Sequence, residues 1–264
     1  MNINTFVKTL IGEDQLKDLK PGSIEFFKTQ ALIIQRKYLL RKAFEDFYVK
    51  FQIDLSRGGD HVDAFKVLEL GSGGGFIKEI MPEVITSDIY KDIADMQIDA
   101  QSLPFQNGEL RGILMTSVLH HIPNVELFFS EVNRTLCKGG VCAIVEPCNT
   151  FFSRLFYKLL HHEPFNPSSI KWAFDQADPM SDTNQALSWI VFERDIEVFR
   201  EKFPSLKIEK KEFLPSLGYV LSGGVGYKSI VPKILNKYII CIERMLTGFN
   251  KYFSVSWYIL IRKL

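Results

Sequence analysis

Val67-Leu68-Glu69-Leu70-Gly71-Ser72-Gly73-Gly74-Gly75 is the stretch that decides the fold of this 264-residue chain. An apolar run of strand character passes directly into four glycines in five positions. Glycine there lets a ligand approach the backbone with no Cβ in the way. A strand feeding such a turn delivers the ligand to the carboxyl edge of a sheet, the usual crevice of open α/β folds. The spacing narrows the ligand. The dinucleotide pattern GxGxxG needs glycine at position 76, which is Phe76. The phosphate-cradling pattern GxxxxGK[ST] is absent. What stands is E-x-G-x-G-x-G. An acid two residues before the first glycine suits a cationic ammonium and would repel a pyrophosphate.

Around this loop, short apolar runs alternate with helical patterns. Lys66–Leu70, Val84–Ser87, Gly112–Thr116 and Val141–Val145 read as strands, and a helix is expected from the glycine loop to about Met81. Asn124 caps a helix with Val125, Phe128, Phe129, Val132 and Leu136 on one face, ending at Gly139-Gly140. Strands alternating with helices predict a parallel sheet covered on both faces. Upstream, residues 23–56 read as helix, with Ser23 as N-cap after Pro21-Gly22 and Phe27, Ala31, Ile34 and Tyr38 at helical spacing. Downstream, Leu206–Phe213 reads as a strand. So does the alternation of Phe253, Val255, Trp257, Ile259 and Ile261 with Ser254, Ser256 and Tyr258. Residues 150–200 and 216–251 read as mostly helical or irregular.

Two further acids follow the loop. Asp88, closing the second strand, is placed to accept both hydroxyls of a ribose. Asp99-Ala100, ahead of Leu103-Pro104-Phe105, puts a carboxylate where an adenine amino group can donate. In order, the blocks ELGSGGG (69–75), SDIY (87–90), IDAQSLPF (98–105), SVLHHIP (117–123) and LCKGGVCAIVEP (136–147) resemble the class I S-adenosylmethionine-dependent methyltransferases, over about Phe65 to Pro147. The resemblance implies a Rossmann-like doubly wound seven-stranded sheet, mostly parallel with an antiparallel last strand. It implies helices on both faces and helical lid insertions. It also implies S-adenosyl-L-methionine as cofactor and S-adenosyl-L-homocysteine as product. Carried over, Glu69, Gly71, Ser72, Gly73 and Gly75 hold the methionine part. Asp88 with Ile89 meets the ribose, Asp99 with Ala100 meets the adenine, and Ser117 adds a contact after the fourth strand. Two departures stand out. Arg111-Gly112 opens a strand that usually opens with an acid, and Leu136-Cys137-Lys138-Gly139-Gly140 replaces L-x-P-G-G. Neither touches the implied cofactor contacts.

The expected activity is methyl transfer to a small-molecule or glycan-like acceptor. The alternative is a non-catalytic binding or regulatory protein that keeps the fold. Phe76 and Glu69 disfavour a dinucleotide oxidoreductase. Lysine plus arginine number 32 and aspartate plus glutamate 31, a net charge of +1, so no basic excess points to nucleic acid. No Asn/Asp-Pro-Pro-aromatic motif follows the fourth strand either.

Four of the five histidines fall in two pairs, His120-His121 and His161-His162. Each pair offers a candidate base for an acceptor hydroxyl. A metal is not expected at the second pair, since adjacent helical residues point about 100° apart. His161-His162-Glu163-Pro164, Asn184-Gln185-Ala186-Leu187 leading to Phe192-Glu193-Arg194-Asp195, and Ser222-Gly223-Gly224 are similar to blocks in some bacterial members, which implies a substrate lid. A structural ion grouping of Glu163, Arg194 and Asp195 is the competing reading. Of 34 aromatic residues, 20 follow residue 150, including all three tryptophans, which fits either a lid or a larger core.

The expected organisation is a single domain over 1–264. It comprises N-terminal helices (1–59), a cofactor-binding core (60–150), a lid insertion (151–204), and the last two strands (205–264) with a helical insertion at 216–251. Near Val231–Leu246, Ile234, Leu235, Tyr238, Ile239, Ile242, Met245 and Leu246 form an apolar face, a candidate for peripheral membrane contact. No run reaches the roughly 18 apolar residues of a spanning helix, and the first 15 residues lack a signal-peptide pattern. Cys137, Cys142, Cys148 and Cys241 show no CxxC spacing, so packed reduced thiols in a cytoplasmic protein are expected.

Overall fold

Seven strands form one sheet: β1 (Lys66–Leu70), β2 (Ile85–Asp88), β3 (Met96–Gln97), β4 (Leu110–Thr116), β5 (Leu136–Pro147), β6 (Leu206–Phe213) and β7 (Ser256–Lys263). Their order is β3-β2-β1-β4-β5-β7-β6. The first five run parallel, and β7 lies antiparallel between β5 and β6. The computed structural model describes residues 11–57, 65–161, 163–175, 178–180 and 183–264. The sheet is the Rossmann-like, doubly wound one expected from the glycine loop and its strand pattern.

Side-chain alternation explains why both faces are covered. Cys142 and Ile144 of β5, with Ile259 and Ile261 of β7, enter one core. Val141, Ala143 and Val145, with Tyr258 and Leu260, enter the other. Period-two strands that are apolar on both sides need helices on both sides. The helix Val125–Thr135 covers the first face through Val125, Phe128, Phe129 and Val132. Asn124 caps it, its Oδ1 accepting from Glu126 N and Leu127 N. The N-terminal helices cover the second face through Ile33, Phe47, Tyr48 and Phe51.

Several local expectations are corrected. The 23–56 helix is two helices, Ile24–Arg36 and Tyr38–Ser56, broken at Lys37. The Lys37 ammonium is buried and donates to Gly224 O at 2.9 Å while pairing with Glu13 at 3.0 Å. Those partners require the extended backbone found there. After the glycine loop only one 3-10 turn forms, Ile77–Glu79, because Pro82 disfavours helix at Met81. The Val125–Thr135 helix stops at Leu136, which is extended and begins β5. Gly139 takes φ +80° inside that strand and caps nothing. The last strand starts at Ser256, since Ser254 N turns back to Asn250 O and closes a short helix over Asn250–Phe253.

Part of the late aromatic surplus is core. Phe129 meets Phe192, Phe199 and Phe203 with ring centroids 5.7, 5.1 and 5.8 Å apart. Cys137, Cys142 and Cys148 are buried thiols, whereas Cys241 is exposed, against the expectation that all four pack. Among the described residues, no helix is long and apolar enough to cross a membrane.

Candidate functional site at the carboxyl edge of the sheet

The residues singled out for the cofactor stand at the carboxyl ends of adjacent strands: Glu69 to Gly75 at the end of β1 and beyond, Asp88 and Ile89 at the end of β2, Asp99 and Ala100 after β3, and Ser117 after β4. The loop folds onto its acid. Asp88 Oδ2 accepts from Gly73 N at 3.0 Å, and Oδ1 accepts from Tyr90 N at 3.1 Å. Burial pushes its pKa up despite these donors. Glu69 is buried within β1, and burial, reinforced by the Asp88 charge, pushes its carboxyl up to about 7. Glu69 Oε2 and Ser72 Oγ are both buried with no hydrogen-bond partner. The neighbouring Ser72 hydroxyl offsets only part of the upward push on Glu69, so a buried carboxylate beside a glycine turn still suits a cationic donor group. Asp99 and Ile89 are exposed, and Asp99 Oδ1 accepts from Gln101 N at 2.9 Å. Ser117 has φ +58°, an unusual conformation that re-aims the chain just past β4.

The glycines also serve packing. Gly71 has φ +64°, and a Cβ there would fall 2.5 Å from Val118 Cγ2. A Cβ on Gly74 would fall 2.8 Å from the backbone nitrogen of Ala31, so the Ile24–Arg36 helix rests directly on the loop. Gly74→Ala is therefore expected to lower stability by about 1 kcal/mol or more, read from urea unfolding. An unchanged midpoint would mean that the helix is free to shift.

A second group lies at the ends of β4 and β5. His120 is buried, and its Nδ1 lies 2.7 Å from Glu146 Oε2. Its Nε2 is 3.4 Å from Glu163 Oε2. Burial opposes charge on His120, but the Glu146 and Glu163 carboxylates overcome it and hold the pKa up to about 10. The two carboxylates therefore favour the charged imidazolium at His120 over the neutral base expected of it. His121 is more exposed and stacks with its ring centroid 4.3 Å from that of His120. Burial and the His120 charge push its pKa down to about 4. Its Nδ1 donates to Pro179 O at 2.9 Å. Glu163 is held well below the usual range, burial notwithstanding, by its hydrogen bond to His120 and by the charges around it. Thr183 Oγ1 donates to Glu163 Oε2 at 3.1 Å, and Gln185 Nε2 contacts both Glu163 Oε2 and His120 Nε2.

His161 ends the Phe151–Leu160 helix, where its Nδ1 accepts from Glu163 N at 3.3 Å. His162 lies outside the described residues. The expected grouping of Glu163 with Arg194 and Asp195 divides in two. Arg194 pairs with Asp195 at 2.7 Å and Asp195 accepts from Trp172 Nε1, while Glu163 turns to the histidines. Sequence reasoning missed Glu146 as a site residue. Its signal was an acid in the apolar run Val141–Pro147, since a buried charge requires a partner. It also missed Thr183, whose partner is 20 residues away in sequence.

A mostly parallel sheet with buried acids at its carboxyl edge defines a Rossmann-like protein. Residues 68–144 match the family described as a methyltransferase domain. The fold resembles that of an S-adenosylmethionine-dependent methyltransferase from Archaeoglobus fulgidus (16% identity, TM-score 0.51, covering 88% of this chain and 98% of that one). It is also similar to geranyl diphosphate C-methyltransferase from Streptomyces coelicolor (15% identity, TM-score 0.48, covering 96% of this chain and 89% of that one). No curated protein matches the chain. Over residues 68–144 the chain is thus similar to methyltransferase domains, and its seven-stranded sheet has the Rossmann-like fold of S-adenosylmethionine-dependent methyltransferases.

Proposed function

We propose that this protein transfers a methyl group from S-adenosyl-L-methionine to a small-molecule or glycan-like acceptor. The observation that carries the reading is the buried Glu69 carboxylate, short of hydrogen-bond donors, beside the glycine turn. When bound, the cofactor supplies an electrophilic methyl carbon and departs as neutral S-adenosyl-L-homocysteine. Glu69 and Ser72 receive its ammonium. Asp88 accepts from the ribose hydroxyls with the lone pairs that Gly73 N and Tyr90 N leave available. Ile89 accompanies Asp88 at the ribose, Asp99 and Ala100 meet the adenine, and Ser117 closes the β4 side.

Because the leaving group is neutral, no acid is required at the sulfur. Positioning supplies most of the acceleration, of order 7–11 kcal/mol for well-oriented reactants. The acceptor belongs at the ends of β4 and β5, beside Glu163, Pro179 and Asn184–Leu187. Asn184 N donates there to His120 O at 3.1 Å, and Pro179 O accepts from His121.

A methyl-transfer screen with hydroxylated small molecules and sugars tests this reading. Acceptor-dependent formation of S-adenosyl-L-homocysteine is the expected result. A folded, cofactor-binding protein that releases none with any acceptor class would favour a binding or regulatory role.

A further inference from the structure

We propose that His120, His121 and Glu163 form a binding site for one divalent transition-metal cation of the zinc class. Their donor atoms, one from each side chain, all lie within 4.8 Å of one another. His120 Nε2 and His121 Nε2 stand 3.4 and 3.9 Å from Glu163 Oε2. Tetrahedral coordination at about 2.0–2.1 Å would bring such donors to about 3.3 Å apart, so only small side-chain movements are needed.

The outer partners set both imidazoles for this task. His120 Nδ1 faces the Glu146 carboxylate at 2.7 Å, and His121 Nδ1 faces the Pro179 carbonyl at 2.9 Å. Both partners are acceptors, so each Nδ1 carries a hydrogen and each Nε2 presents its lone pair toward Glu163 once the ring is neutral. A histidine whose other nitrogen donates to a carboxylate or carbonyl is the usual form of a metal ligand. A bound cation would displace the second proton of His120. An independent feature points the same way: Gln185 Oε1 is buried without a partner, next to the cluster. Rotation of that amide would turn a neutral oxygen toward the cation.

Two imidazoles and one carboxylate are the ligand set of an open, reactive zinc site, with a position left for a substrate oxygen. Resting on the acceptor placement proposed above, the inference gives the acceptor a hydroxyl-bearing class. The cation would bind that oxygen and ease loss of its proton.

Chelator-treated protein is titrated with Co(II) while its S-adenosylmethionine affinity is measured by calorimetry in the same preparation. One equivalent of cobalt with the intense visible bands of a low-coordinate site is expected, with affinity at least tenfold weaker in Glu163→Gln and in His121→Ala. Only the spectrum of aqueous cobalt, or binding unchanged in both variants, overturns the site. Cofactor affinity without cobalt binding overturns the metal alone. Cobalt binding without cofactor affinity overturns the methyltransferase reading and leaves the metal site standing. The wild-type titration decides the matter even where a variant fails to fold.

A separate surface carries a second inference. On and beside the helix Asn236–Met245, Ile234, Tyr238, Ile242, Met245 and Leu246 are exposed, and Ile239 alone of the expected apolar face is buried. Lys233, Lys237, Arg244 and Lys251 accompany this face. The sole acid from 233 to 253, Glu243, turns inward to accept from Gly218 N at 2.9 Å. The geometry points to an anionic phospholipid surface as its occupant, with the apolar side chains entering the interface and the cations facing the headgroups. Co-sedimentation with phosphatidylglycerol vesicles is expected, at least tenfold weaker with phosphatidylcholine alone and in the double variant Ile242→Glu, Met245→Glu. No binding to anionic vesicles, or binding indifferent to the double variant, overturns it. So does a concentration-dependent dimer that the double variant dissolves.

Discussion

Glu146→Ala is expected to lower the unfolding free energy by about 3–5 kcal/mol, the cost of leaving a buried charge without its partner. Glu146 Oε1 accepts from Val118 N and from Leu119 N, each at 2.7 Å, and Oε2 accepts from His120 Nδ1 at 2.7 Å. The truncation orphans two backbone donors and an imidazole, all beside the turn that follows β4. Urea unfolding measures the effect. A loss below about 1 kcal/mol would mean that water or Glu163 replaces the lost carboxylate. The chain places its only acid of β5 where the sheet ends, and a single side chain thereby fixes the β4 turn and the first histidine of the pair.

The second large effect concerns Glu69. With its carboxyl pushed up to about 7, it is neutral in mild acid and ionised in mild base. Affinity for a cofactor ammonium is therefore expected to rise up to tenfold per pH unit below pH 7 and to flatten above it. The ligand-free protein behaves in the opposite sense. The unfolded carboxyl ionises near 4.5 and the folded one near 7, so the native state holds the extra proton between them. Stability falls as pH rises through that window. Glu69→Gln should abolish both slopes and weaken cofactor binding by about 1.5–3 kcal/mol, roughly 10- to 150-fold. Calorimetric titrations from pH 5.5 to 8 check it, and a slope that persists in Glu69→Gln would assign the proton elsewhere.

The sheet was legible because its signals are local. A five-residue apolar run ends in glycines, and Trp257, Ile259 and Ile261 alternate with Tyr258 and Leu260 so as to feed two cores. What the sequence hid depends on distant partners. Met96–Gln97 is too short to show a period, and it is a strand only because Ser87 and Asp88 lie beside it. The break at Lys37 answers to carbonyls at 224 and 227, nearly two hundred residues away. The candidate cofactor residues follow one another along the strand ends in chain order, so motif spacing found them. The histidine cluster joins positions 120, 146, 163 and 185 through tertiary contacts, and spacing could name only the adjacent pair. Its electrostatics also divide the two histidines: the carboxylates favour charge on His120, whereas burial and the His120 charge disfavour it on His121.

The central claim is that the glycine loop and its two buried acids bind S-adenosyl-L-methionine. Isothermal titration of the folded chain with that cofactor, beside Asp88→Ala, tests it most directly. One equivalent bound by the wild type is expected, with affinity at least tenfold weaker in the variant through loss of a charged hydrogen bond to the ribose. No binding by folded wild-type protein, or equal affinity in both, would contradict it.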